Sequence, residues 1–408
     1  MAIDPQMAQN ALACADDEEI VRFTQEFIRI NSVNPNLGEG AGESDAVEFL
    51  ATAAEKAGLQ VTVEEIVPNR PNLYCVLPGE EEGIALSFLG HTDTVPFLRM
   101  PNPLSGEIGD GAIWGRGGVD MKGGVAASMQ ALIALAKSGI RLKKSVAVWA
   151  VMDEESEHRG AYAMEQEKFQ ADACVVTEPS NMRLLLGCKG TAPIRVDLTG
   201  VLAHGSNPWL GVNAIDMAAK VVLALEKLEP KKVYIPELDM TIQGSINVGV
   251  IQGGTQYNNV ADACSIYIDR RMAPGETLAS VLAEVNQILE TLASEDPKFK
   301  AHAEVSRPDW HWEAIRERGL KPAYTPATTP VSRAVQAAYR GVMNQEVVLG
   351  YTHGYMDMDF MVNGLNIPTV NYGPGETKYA HTVDERLSIS DLVSATRIYI
   401  LTAIDLAS

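Results

Sequence analysis

Positive charge is in short supply in this chain. Its 33 Lys and Arg face 53 Asp and Glu over 408 residues, a formal net charge of −20. A surface of that sign repels phosphate, which argues against nucleic acid and anionic membranes as partners. Cysteine is also sparse. Cys14, Cys75, Cys174, Cys188 and Cys264 make an odd set without a CxxC spacing, so a disulfide framework is not expected and a reducing compartment is. No apolar run approaches the length needed to cross a bilayer; VAVWAVM from Val146 is among the longest. The first residues, MAIDPQMAQNALACADDEE, have neither a basic region nor an apolar stretch of signal length. A cytoplasmic location is the expectation.

What the chain does have is an ordinary globular composition, 46% hydrophobic and 21% charged, at a length that suggests about two or three domains. Short β-branched runs read as buried strands: NLYCVL from Asn72, IALSFLG from Ile84, SVAVWAVM from Ser145 and ACVVTE from Ala173. Between them, Met121 to Ala136 is small and apolar enough for a packed helix. This alternation predicts an α/β layer, a mostly parallel sheet with helices on both faces. From Lys189 the texture changes to strand, helix, two strands, helix, strand. That βαββαβ order predicts a ferredoxin-like α+β insertion. The expected division is a discontinuous first domain, 1–188 and 307–408, with 189–306 inserted. A helix near Val331, strands near Val347 and Thr369, and a closing helix from Ile389 complete the first domain. The stretch from Asp309 to Thr329, with Trp310 and Trp312, reads as the return linker, its tryptophans packing there or forming an aromatic wall.

Chemistry concentrates in a fixed order of residues. His91 stands in LGHTDTVP, Asp120 in GRGGVDMKGG, Glu154 and Glu155 in VMDEESEHRG, Glu178 in VVTEPSN and His381 in GPGETKYAHTVDE. His91, Glu154, Glu155 and Glu178 all follow predicted strands, and ligands gather at strand C-terminal ends in open α/β sheets. GRGGVDMKGG is neither a phosphate loop nor a dinucleotide loop, and it sets an acid where phosphate would sit. Acids that close apolar runs, as Glu178 does, are rare unless paired or metal-bound. Asp93, two residues after His91, suits the role of holding the other imidazole N–H. Two histidines and three carboxylates suffice for two divalent cations sharing one bridge, and Glu154 is then free to act as a base. Nitrogen and oxygen ligands suit zinc first, with manganese or cobalt as alternatives. Three carboxylates and a bridging hydroxide balance the charge of two such ions.

These motifs resemble the metallopeptidase family of glutamate carboxypeptidase, acetylornithine deacetylase, succinyl-diaminopimelate desuccinylase and aminoacylase, from about Glu19 to Leu387. The resemblance implies that one metal takes His91 and Glu178, the other Glu155 and His381, and that Asp120 bridges them. It matches Glu154 to the general base that serves a metal-bridged hydroxide, and the bond after Asp120 to a cis peptide. GVLAHGSNPWLGVNAI matches a motif of the inserted lid or dimerisation domain, in which His204 enters a partner subunit's site and helps hold the oxyanion. Asn259 and Arg271 match substrate-binding positions, Arg271 suited to a carboxylate, and Gly375 lies in a loop whose backbone faces substrate. A homodimer, or a higher homo-oligomer, is thereby implied.

One departure stands out. The family often shows G-T/S-D-x-R where this chain has HGYMDMDF, with Asp359 in the arginine position and Tyr351, His353, Tyr355 and Met356 around it. The expected substrate is a small anion with a flat body, held by Arg271 and bordered by Tyr351–Asp357, with His353 in contact. The expected reaction is hydrolysis of an amide C–N bond in an N-acyl amino acid or dipeptide. An aminohydrolase acting on a small aromatic acid is the alternative, and a degenerate, non-catalytic metal-binding protein is the alternative of another class.

Overall fold

The computed structural model describes residues 5–307 and 312–408, and divides the chain into two compact units. Unit one comprises Met1–Cys188, Tyr324–Thr352 and Met356–Ser408; unit two comprises Lys189–Ala323 with His353–Tyr355. The change of unit at Lys189 is where the sequence changes texture. The return comes later than the expected residue 307. Main-chain pairing of Thr191 with Leu320, and the complete burial of Ile315 in helix Glu313–Arg318, hold the intervening segment to unit two. Trp310 and His311 lie outside the described residues.

Unit one is built on a nine-stranded sheet. The strands Ile84–His91, Ser145–Val151, Cys174–Val176 and Thr369–Asn371 run parallel at its centre. Their near-continuous apolar sequences are buried, as expected for strands covered on both faces. Around this parallel centre the sheet is mixed. Gln60–Val67 pairs antiparallel with Arg70–Leu77, which pairs antiparallel with Ser145–Val151. The short link at Pro68–Asn69 is a hairpin connection, and only antiparallel neighbours can be joined that way. Leu184–Cys188 is a further strand that the sequence reading passed over.

The helix Gly123–Ser138 is buried on almost every side through Leu135. Its small residues permit close approach. A Cβ on Gly124 would lie 1.9 Å from the Thr177 carbonyl oxygen, so this helix start is pressed against the end of the Cys174–Val176 strand. That contact sets the Asp120 loop beside the Glu178 loop. Gly124→Ala should therefore lower stability by about 1–3 kcal/mol and weaken metal retention. Thermal melting with parallel metal analysis checks this; an unchanged melting point with full metal content would contradict it.

Unit two contains a four-stranded antiparallel sheet in the order Ser245–Gly253, Ala263–Met272, Gly190–Thr199, Ala301–Val305. Helices Ala214–Leu225 and Leu278–Glu295 bury Met217, Val221 and Leu225, and Val281, Val285 and Leu289, at helical spacing. They pack with Ile194, Val196, Ile266 and Ile268 in one core. Asn213 caps the first helix, and Thr277 with Ser280 forms a capping box on the second. The hairpin Lys232–Ile235 with Met240–Gln243 is added to the expected order.

Candidate metal centre

Parallel register assembles the centre. His91 ends its strand directly opposite Val151, and Leu89 stands opposite Val176. The residues just past these strands, Glu154, Glu155 and Glu178, therefore emerge at one sheet edge with His91. Asp120 enters from the loop before helix Gly123–Ser138, and its peptide bond to Met121 is cis. His381 follows the short helical turn Thr377–Tyr379.

The side chains form two groups whose ligand atoms lie within 4.8 Å of one another: His91, Asp120 and Glu178, and Asp120, Glu155 and His381. Asp120 belongs to both. Its Oδ1 is 3.1 Å from His91 Nε2, and its Oδ2 is 3.2 Å from His381 Nε2. His91 Nε2 is 3.3 Å from Glu178 Oε1, and His381 Nε2 is 3.0 Å from Glu155 Oε1. Glu154 stands apart from both groups, with Oε2 3.9 Å from His91 Nε2.

The electrostatics are those of an anionic nest. Burial, then the charge of Asp120, pushes Glu155 and Glu178 up to about 7. Burial is also the largest influence on Glu154, which is raised well above the usual carboxylate range, with Glu178, Asp357 and Glu155 adding to it. Hydrogen bonds to Asp120 and Glu155 raise His381 to about 10. For His91, burial acts downward but is outweighed by Glu178, Asp120 and Asp93, so the imidazole is raised too. Carboxylates this crowded and this buried are stabilised by cations, and the mixed nitrogen and oxygen donors fit a pair of divalent ions.

Asp93 lies beside His91 and has a second set of partners. His91 Nδ1 is nearest the Asp93 backbone carbonyl, at 2.9 Å, and 3.4 Å from the Asp93 carboxylate. The carboxylate also accepts from the Glu154 and Glu155 backbone N–H groups at 3.1 and 3.2 Å, and from Asn34 at 2.7 Å. A fully buried carboxylate needs several donors, and the turn after Ser145–Val151 offers two. Asp93 thus fixes the turn that carries both glutamates.

Sequence reasoning missed the supports. Asn34 joins Asp93 to Asp153, and Arg70 joins Asp153 to Glu43. Glu385 accepts from the Val119 and Asp120 backbone at 3.0 and 3.1 Å and pairs with Arg116. Glu385 stands in the HTVDE stretch that carries His381, so its motif was visible even though its role was not. His158 and Asp357 were also missed; both are buried, 2.9 Å apart, and group with Glu154.

The second part of the HGYMDMDF segment, Met356 to Phe360, is buried, whereas His353 is exposed. Tyr351 donates its hydroxyl to the Cys188 carbonyl at 2.6 Å, and Asp357 is taken by His158. Asp359 is fully buried and accepts from Asn363 at 2.6 Å, one helical turn on. Tyr351, Asp357 and Asp359 are thereby engaged within the fold. Gly375 lies in a loop tied to the Glu178 segment, its carbonyl accepting from Asn181 at 3.0 Å.

His204, Asn259, Arg271 and His353 belong to unit two. His204 is exposed, its Nδ1 2.7 Å from Ser206 Oγ, and its strand pairs with Asn259. Arg271 Nε is 2.8 Å from Asp269 Oδ1 and lines a cavity of about 380 Å³ with Thr191 and Tyr267. His353 is lowered by burial and by Lys189.

Residues 87–405 match Peptidase family M20/M25/M40. The chain belongs to this family. It is 30% identical to an acetylornithine deacetylase of Aliivibrio salmonicida, over 91% of this chain and 94% of that protein. It is 25% identical to N-formyl-4-amino-5-aminomethyl-2-methylpyrimidine deformylase of Halalkalibacterium halodurans, over 93% of this chain and 92% of that protein. The fold is shared with aminopeptidase PepT of Bacillus cereus at a TM-score of 0.76 and 22% identity, covering 96% of this chain and 99% of that one. This M20 chain is accordingly a hydrolase acting on C–N bonds, and the degenerate binding protein is set aside. Among its described residues no helix is long and apolar enough to cross a membrane.

Proposed function

We propose that this M20 hydrolase removes a small acyl group from an amine nitrogen, using two divalent cations held by His91, Asp120, Glu155, Glu178 and His381. The observation that carries the reading is Asp120, whose two carboxylate oxygens each address a separate histidine and carboxylate group. Zinc is the leading ion, with manganese and cobalt compatible with the same donors. Such ions, when bound, bring the ionisation of water toward neutral pH and polarise a carbonyl.

The chain's own residues supply the rest. Glu154 lies beside both groups without joining either, so it takes the proton of the attacking water and returns it to the leaving nitrogen. Asp93 holds Glu154 and Glu155 through their backbone. Arg271 and Asn259 are the proposed contacts for a carboxylate on the substrate, with His353 and the Gly375 loop as further contacts. Five free cysteines agree with a reducing, cytoplasmic setting.

Deacylation is preferred to dipeptide cleavage because the two curated relatives are named a deacetylase and a deformylase. The test is kcat/KM on N-formyl, N-acetyl and N-succinyl amines and amino acids, dipeptides and amino-substituted aromatic acids, each with Zn, Mn and Co. N-formyl or N-acetyl substrates should lead. Preference for dipeptides would replace the acyl reading, and release of an exocyclic amine would favour the aminohydrolase.

His204 is proposed to act across a homodimer. It is exposed on unit two, and Val201, Leu202, Trp209 and Leu210 around it are large, apolar and exposed, as at an interface. Mixing inactive His204→Ala subunits with inactive Glu154→Gln subunits should restore partial activity, because one site of each heterodimer has both groups. Verified heterodimers without activity would place His204 outside this role.

A further inference from the structure

Glu154 is bracketed by two imidazoles. One carboxylate oxygen, Oε2, is 3.9 Å from Nε2 of His91; the other, Oε1, is 3.9 Å from Nδ1 of His158. His158 is buried and has no place in either three-residue group that shares Asp120. The same nitrogen, His158 Nδ1, lies 2.9 Å from Asp357 Oδ1, and Asp357 is itself only 3% exposed. The ring also lies 6.0 Å from that of Phe360, centroid to centroid. Two buried carboxylates therefore address one N–H.

We propose that His158, held by Asp357, is a positioning residue that fixes the Glu154 carboxyl for proton transfer. The inference rests on Glu154 being the base. An ionised Asp357 only accepts hydrogen bonds, so Nδ1 of His158 is the donor between them, and the bond sets the tautomer. That same nitrogen edge of the ring lies beside Glu154 Oε1. The 3.9 Å separation is too long for a hydrogen bond but well within electrostatic reach. Without the imidazole, Glu154 and Asp357 would face each other as like charges in a site with little water. A glutamate has three rotatable side-chain bonds with which to escape. His158 stands beside one oxygen, and the other faces His91.

The backbone agrees with a functional origin. His158 is at φ 56° in the left-handed region, where a bulky non-glycine residue is uncommon and costs of order 1–3 kcal/mol. A buried histidine–carboxylate pair gives little net stability against an apolar replacement. Neither feature is explained by packing alone.

The test uses the full-length, metal-loaded dimer or monomer as purified, and the fastest amide of the substrate panel. His158→Ala should lower kcat about 10- to 100-fold, the scale of a misplaced reacting group, with KM within about twofold and metal content unchanged. His158→Asn should retain most of the activity, because it keeps a donor near the Nδ1 position and tolerates the left-handed backbone. Adding Asp357→Asn to His158→Ala should recover part of the lost rate by removing the repulsion. In a Glu154→Gln background, His158→Ala should cost nothing further. The proposal is overturned if His158→Ala keeps full kcat, if Asp357→Asn deepens its loss, or if the loss persists unchanged in the Glu154→Gln background. Should His158→Ala fail to fold, His158→Asn with normal folding and a kcat loss as large as 100-fold would overturn it equally. Full activity of Glu154→Gln alone would instead overturn the assignment of the base.

Discussion

Glu154→Gln should lower kcat by at least about 10²-fold, the usual scale for loss of a general base, while leaving two metal ions per chain. The geometry separates these effects. Glu154 Oε2 is 3.9 Å from His91 Nε2, whereas the ligand-type contacts of His91 to Asp120 and Glu178 are 3.1 and 3.3 Å. Glutamine keeps the shape and the backbone bond to Asp93, so the turn should persist. It lacks the proton-accepting carboxylate. The measurement is kcat on the best substrate with metal analysis of the same sample. Turnover near that of the parent at full occupancy would remove Glu154 from proton transfer. A large loss of metal would instead make it a ligand.

Asp120→Ala should abolish activity through metal loss. The carboxylate is shared, with Oδ1 at 3.1 Å from His91 and Oδ2 at 3.2 Å from His381, so one substitution opens both groups. Substitution of an outer supporting residue typically lowers metal affinity by about 10- to 100-fold, and a shared ligand should exceed that. Stability gives a readout independent of turnover. A metal present at about 100 times its Kd stabilises a folded protein by about 2.7 kcal/mol, so chelation should lower the Tm of the parent. Asp120→Ala should melt at the same temperature with and without chelator. Retention of two ions per chain, or a full chelator shift, would contradict the shared-ligand role.

The sequence alone determined the donor set, its order along the chain and the α/β alternation that carries it. His91, Glu154, Glu155 and Glu178 were legible because acids and histidine at the ends of apolar runs are costly unless they are partnered. The βαββαβ order of the inserted segment was legible because strand and helix periodicities are local properties of a window of residues. The family resemblance rested on the same local motifs.

Only the tertiary structure decided which carboxylate supports which. Asp93 could be placed beside His91 by its i, i+2 spacing, but its bonds to the Glu154 and Glu155 backbone and to Asn34, remote in sequence, could not. His158 meets Asp357 across 199 positions, and Arg116 meets Glu385 across 269. No periodicity encodes such pairs, because they form when loops from separate strands converge at one sheet edge. The antiparallel strands beside the parallel centre were out of reach for the same reason. A strand's apolar pattern reports burial, whereas its direction depends on the connection that brings it to its neighbour. Asp359 shows the limit most simply. The motif showed only that it stands in the family's arginine position; the fold buries it and sets Asn363 on its carboxylate. Which way a side chain points is settled by the backbone that carries it, and that backbone is fixed by contacts made far along the chain.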